Sequence, residues 1–210
     1  MHVNELAKWM GDATYAFLAL NLLWGIYCAT LVWRRLASLR FRNDQEQAEF
    51  VAQIQHQLGD NDYEAVTQQL ADDPRALSQL VLLSVENRDL EPSYLRQVVA
   101  ERLQRDVLGP LENNVNWILT VVRNGPLLGL FGTVLGMMAA FGRIGMGEKV
   151  QPAQIADEIS VALICTAMGL GTAIPLGYVA SSLNIRIRDL QESLGPTLVR
   201  IIDQFQRVGV

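Results

Sequence analysis

The chain has 210 residues, half of them hydrophobic and 19% charged, with a net charge of −5. That charge content is low for a soluble domain. The two cysteines, Cys28 and Cys165, both lie in apolar runs, and no Cys/His spacing resembles a metal site, which excludes a disulfide framework and a zinc-type centre.

The apolar residues fall into three nearly charge-free segments separated by polar ones, the pattern of an all-α integral membrane protein with three transmembrane helices. Residues 1–12 form a short N-terminal segment. The first span covers 13–33 (ATYAFLALNLLWGIYCATLVW), about the ~20 residues needed to cross a bilayer core. Trp9 and Trp33 bracket it at the two interfaces. A cleaved signal peptide would carry its positive charge ahead of the apolar run. Here Lys8 is offset by Glu5 and Asp12, while Arg34, Arg35, Arg40 and Arg42 follow. The span is therefore read as retained, with the N-terminus periplasmic and its C-terminal end in the cytoplasm.

Residues 34–114 read as a cytoplasmic helical region. Phe50, Ile54 and Leu58 recur at helical spacing up to Gly59, and Asp62 to Leu70 makes a second short helix. Asp73 caps a third, with Pro74 in its first turn. Pro92 opens a long fourth with Tyr94, Val98, Val99, Leu103 and Val107 on one stripe, Glu101 and Arg105 paired on the other face, and a disturbance at Gly109-Pro110.

The second span is 115–141, with Arg123 near its cytoplasmic end, where the side chain reaches water or headgroups. A short periplasmic loop, 142–156, carries Arg143, Glu148 and Lys149. The third span, 157–183, ends just before Arg186 and Arg188. A C-terminal cytoplasmic helix, 184–210, takes Ile185, Leu190, Leu194, Leu198, Ile201 and Phe205 as its apolar positions and is interrupted at Gly195-Pro196. All long polar segments then lie on one side of the membrane.

The second and third spans hold no carboxylate, lysine or histidine in their central portions. A protein that moves protons by binding them needs a titratable group at depth, and this chain has none of its own there. Asp157 and Glu158 open the third span; they either complement the helix dipole or serve as vestibule acids at the mouth of an ion path. Gly125, Gly129, Gly132 and Gly136 recur at intervals of three and four and share one face, and Ala162, Thr166, Gly169 and Ala173 form a similar face on the third span. Such faces let helix backbones approach closely, and two of them suggest an oligomer or a partner helix. Thr133 and Thr166 lie mid-span. Each can hydrogen-bond back to its own helix, but as a pair on antiparallel neighbours they come to similar depth. No nucleophile–base pair, metal set or phosphate loop is present, so no enzyme is expected, no cofactor, and no nucleic-acid partner.

LLGLFGTVLGMMAAF (Leu127 to Phe141) followed by VALICTAMGLGTAIPLGY (Val161 to Tyr178) strongly resembles the MotA/TolQ/ExbB family of ion-driven motor subunits, and ERLQRDVLGPLE (Glu101 to Glu112) is similar to that family's helix leading into the membrane. The three-span layout resembles the ExbB/TolQ branch. The resemblance implies a homo-oligomeric ring, typically a pentamer, in the bacterial inner membrane. It also implies a single-span partner of the ExbD/TolR/MotB type whose membrane aspartate binds the ion, a proton channel lined by Thr133 and Thr166, and delivery of energy to an envelope process such as transport through a TonB-like protein. Gly129, Gly132, Gly136 and Gly169 serve helix packing.

One departure stands out: where many ExbB and TolQ members carry a glutamate five residues before the third-span threonine, this chain has Val161. Glu158 lies about one turn outward and is the nearest acid. Cys165 stands beside Thr166, where sodium-driven relatives add a second threonine, and a thiol is a poor ligand for a hard cation, which favours protons. The alternatives to an ExbB/TolQ-like motor are a MotA-like flagellar or gliding stator subunit, a non-conducting membrane scaffold and a stand-alone channel.

Overall fold

The computed structural model describes residues 3–41, 43–60, 62–145 and 151–208, without the side chains of 3–12, 44 and 204–208. Trp9 and Phe205 as side chains, and Arg42, Glu148 and Lys149 altogether, lie outside the described residues. Among the described residues all regular structure is helical: α1 (Val3–Leu39), α2 (Asp44–Gly59), α3 (Tyr63–Leu70), α4 (Ala76–Glu86), α5 (Pro92–Arg102), a π-helical turn (Leu103–Leu108), α6 (Gly109–Gly145) and α7 (Pro152–Val208). Three stretches, within Ala13–Leu39, Pro92–Gly145 and Pro152–Asp203, are long and apolar enough to cross a membrane. The chain divides into two compact units, one of Met1–Thr30 with Asn114–Ser182 and one of Leu31–Asn113 with Leu183–Val210.

The second of these units is built like a water-soluble helical domain. Its core is made of large aliphatic side chains: Ile54 and Leu58 of α2, Val66 and Leu70 of α3, Leu77, Leu80 and Val81 of α4, and Leu95 and Val99 of α5, all buried. Leu36 of α1 and Leu190, Leu194, Leu198 and Ile201 of α7 are buried too. Asp62 caps α3 through the Ala65 N–H. Asp73 accepts from the Arg75 N–H and the Ser78 hydroxyl, but α4 starts only at Ala76, so Pro74 lies ahead of the first turn rather than in it.

Three local expectations are corrected. The apolar stripe of α5 includes Leu95, while Tyr94 is 54% exposed. In α7 Leu183 and Ile187 are buried and Ile185 is 62% exposed. Gly195-Pro196 does not interrupt α7, which runs unbroken to Val208. An internal proline costs a helix about 3 kcal/mol, whereas each fully buried Leu or Ile contributes roughly 1.5–3 kcal/mol. The four buried side chains at 190, 194, 198 and 201 therefore outweigh the break.

The disturbance at Gly109-Pro110 takes a definite form. The Gly109 N–H bonds the Gln104 carbonyl five residues back, so the helix widens into π geometry directly before the proline. Pro110 has no N–H to give the Asp106 carbonyl four residues back. That carbonyl accepts instead from the Arg35 guanidinium at 3.1 Å. On the same stretch the expected Glu101–Arg105 pair is replaced by Arg102 with Asp106.

Candidate ion-path site

In the unit of Met1–Thr30 with Asn114–Ser182, α6 and α7 meet through their small residues. A methyl carbon built on Gly169 would lie 2.5 Å from the Gly125 carbonyl oxygen, and one on Gly129 would lie 2.8 Å from the Cys165 carbonyl oxygen and 2.9 Å from the Thr166 Cα. At Gly136 it would meet the Ala162 Cβ at 2.6 Å. These are contacts no real Cβ makes, and the first two are against backbone, which cannot step aside. The two small-residue faces are thus spent on each other within one chain, and they do not by themselves call for a second copy.

The first span joins the same seam. Thr14, Leu18, Gly25 and Cys28 of α1 are buried at spacings of three, four and seven residues. A Cβ on Gly132 would touch Cys165 Cβ at 2.9 Å and the Thr14 methyl at 3.1 Å, so all three helices meet at that level. The Tyr15 hydroxyl donates to the Val161 carbonyl at 3.1 Å. Both cysteines are free and buried, as small apolar residues would be.

Thr133 is 6% exposed and donates its hydroxyl hydrogen to the Leu130 carbonyl at 2.7 Å. Its one proton is committed, so the oxygen can only accept a further hydrogen bond. Thr166 is half-buried, with its Cα opposite Gly129, and its hydroxyl makes no hydrogen bond among the described residues. It keeps a donor to give. Because Gly132 pairs with Cys165 in antiparallel helices, Thr133 lies level with Ile164. Thr166 is then two residues further along, about 3 Å in depth at 1.5 Å per residue.

At the other end of the apolar stretch, Glu158 accepts through Oε1 from Arg143 of α6, an ion pair that bridges the α6–α7 link. Its Oε2 is buried and has no partner among the described residues. Asp157 is exposed. Sequence reading placed Arg143 in the link without recognising it as the partner of Glu158. It also passed over Thr14, whose contact with Gly132 no single-helix pattern reveals. No grouping of His, Cys, Asp and Glu suited to a metal occurs among the described residues.

Residues 62–195 match the MotA/TolQ/ExbB proton channel family. Over 98 residues the chain is 36% identical to the Tol-Pal system protein TolQ of Haemophilus influenzae, covering 47% of this chain and 41% of that protein. It is 35% identical over 96 residues to the biopolymer transport protein ExbB of Pseudomonas putida (44% and 29%), and 37% identical over 73 residues to ExbB of Helicobacter pylori (35% and 50%). The matched region thus spans half or less of the length of each of these relatives.

Proposed function

The chain belongs to the MotA/TolQ/ExbB proton channel family, and from that membership we propose that it is the ring subunit of a proton-motive-force-driven motor in the bacterial inner membrane. Membership of a channel family makes it a transport-motor subunit rather than an enzyme. In this reading several copies, five as in the family, enclose the single-span helices of an ExbD/TolR-like partner. The N-terminus is periplasmic and the C-terminus cytoplasmic. The motor energises an envelope process such as TonB-dependent transport.

The observation that carries the reading is the complementary state of the two threonines, whose levels differ by only about 3 Å. A partner carboxylate needs a donor, and the Thr166 hydroxyl has one. A protonated carboxyl needs an acceptor, and Thr133, its own hydrogen given to Leu130, offers only that. A charged acid leaving water for an apolar wall is costly, while a neutral one is tolerated. Alternation of the two states lets the partner's acid move between Thr166 and Thr133 as protons cross. A unit charge crossing 100 mV yields about 2.3 kcal/mol per step. The absence of any carboxylate in the middle of α6 and α7 fits a site completed by another protein. Glu158, tied to Arg143, is read as the vestibule acid, with Asp157 exposed beside it.

Proton-driven transport in cells carrying the chain with its partner tests this. Thr133→Val and Thr166→Val are each expected to lower energised transport about five- to tenfold at unchanged protein level, the worth of roughly one hydrogen bond. Thr166→Ser is expected to retain it. The bond from Thr133 to Leu130 also favours a second reading, a non-conducting scaffold in which the threonines only pack. Wild-type activity in both valine variants would establish that reading and sink the ion path.

A further inference from the structure

Asn21 lies in the apolar run of α1, and its side-chain oxygen Oδ1 is buried with no hydrogen-bond partner among the described residues. Its position follows from two fixed levels of the three-helix seam. Thr14, Gly132 and Cys165 meet at one, and Gly25, Val121 and Leu176 meet at the other. The steps 14 to 25, 132 to 121 and 165 to 176 are equal, so the helices run in register between them. Asn21 is seven residues past Thr14, and the same seven residues lead to Gly125 on α6 and Thr172 on α7. Those two touch: a Cβ on Gly125 would lie 3.2 Å from the Thr172 hydroxyl oxygen. Three small or polar groups, one from each helix, therefore share one level.

The two side-chain oxygens at that level are both left as acceptors. Thr172 donates its only hydroxyl hydrogen to the Gly169 carbonyl at 2.9 Å, so its oxygen is left as an acceptor. Asn21 Oδ1 is an acceptor. Arg123 and Asn124, the side-chain donors on the facing stretch of α6, are exposed on the outside of the unit. Asn21 Nδ2 is a donor too, but of the two amide atoms only Oδ1 is buried without a partner among the described residues. A small uncharged ligand that can donate to both oxygens fits a seam lined by glycine. We propose that a water molecule is bound inside the membrane unit between Asn21 and Thr172, donating one hydrogen to each. It pins α1 to the α6–α7 pair about 10 Å along the helices from the level of Thr14, seven residues at 1.5 Å each. The proposal is independent of whether Thr133 and Thr166 line an ion path.

Water-edited solid-state NMR on the full chain in liposomes, labelled at asparagine and cysteine, tests it. The Asn21 side-chain carbonyl, identified by its loss in Asn21→Leu, is expected to receive water magnetisation at least about threefold faster than the buried Cys28. Thr172→Val is expected to slow that transfer by about half or more, and Thr172→Ser to preserve it. Transfer to Asn21 no faster than to Cys28 overturns the proposal. So does a contact from Asn21 to an N–H of a second copy in a sample mixed from differently labelled chains, which would make the donor a neighbouring subunit. Equal transfer in wild type and Thr172→Val removes Thr172 from the site and overturns the bridging geometry.

Discussion

The two units of this chain solve the packing problem in opposite ways. In the unit of Leu31–Asn113 with Leu183–Val210, helices are held apart by leucine, isoleucine and valine, and the described surface leaves only Leu31, Trp33, Tyr94, Ile185 and Val199 as exposed large apolar side chains. In the other unit helices touch through glycine and alanine, and Phe17, Leu20, Leu23, Leu127, Phe131, Met138, Phe141, Leu163 and Ile174, among others, face outward. Water expels large apolar groups and so drives them into a core. Lipid gives no such drive between apolar helices, and close backbone contact has to supply the attraction. The same chain thus places its bulk inside where the solvent is water and outside where the solvent is hydrocarbon.

Substitutions that exchange the two strategies should fail most severely. Gly169→Leu puts a branched side chain where even a methyl would lie 2.5 Å from the Gly125 carbonyl. The expected result is loss of folded protein, read as yield and monodispersity in detergent, while Gly171→Leu, in open space, is expected to behave as wild type. Next in size is Leu80→Ala in the aliphatic core. A loss of about 2–5 kcal/mol is expected from the lost transfer energy and the cavity together, measured as a shifted denaturation midpoint. A smaller effect of opposite sign should follow Gly195→Ala. This position is helical with nothing within 4 Å, so alanine is expected to stabilise by about 0.5–1 kcal/mol, seen as a raised melting temperature. The smallest change should come from Asp203→Asn, which removes the pair with Arg96 at 2.5 Å; both side chains are nearly half exposed. A cost of at most about 1 kcal/mol is expected, vanishing at high salt. A loss of several kcal/mol that salt does not erase would mean that surface charge, not the aliphatic core, holds that unit.

Much of the fold could be read before any coordinates. Three apolar runs, the polar stretch between the first two and the glycine spacing of α6 were all visible in the residues, as was the family resemblance carried by Leu127 to Phe141 and Val161 to Tyr178. The candidate site was legible only as a list. Thr133 and Thr166 stood out as hydroxyls in apolar runs, but not as one committed donor and one free one. Asn21 was overlooked, although a carboxamide inside a span is itself a signal. Helix ends and stripes were misjudged where a shift of one or two residues moves a side chain to another face, as with Tyr94 next to Leu95 and Ile185 two residues from Ile187.

The sequence by itself determined which segments are apolar, which faces are small and which chemistry is missing, because each of these is a property of residues summed along one helix. Tertiary structure alone decided that the two small faces meet each other, that Arg143 closes on Glu158, that Arg35 takes the carbonyl freed by Pro110, and that Asn21 stands level with Thr172. Each of those is a relation between two helices. A periodic pattern states what a helix offers on a face, while the register that brings one offer opposite another is set by how the backbones pack.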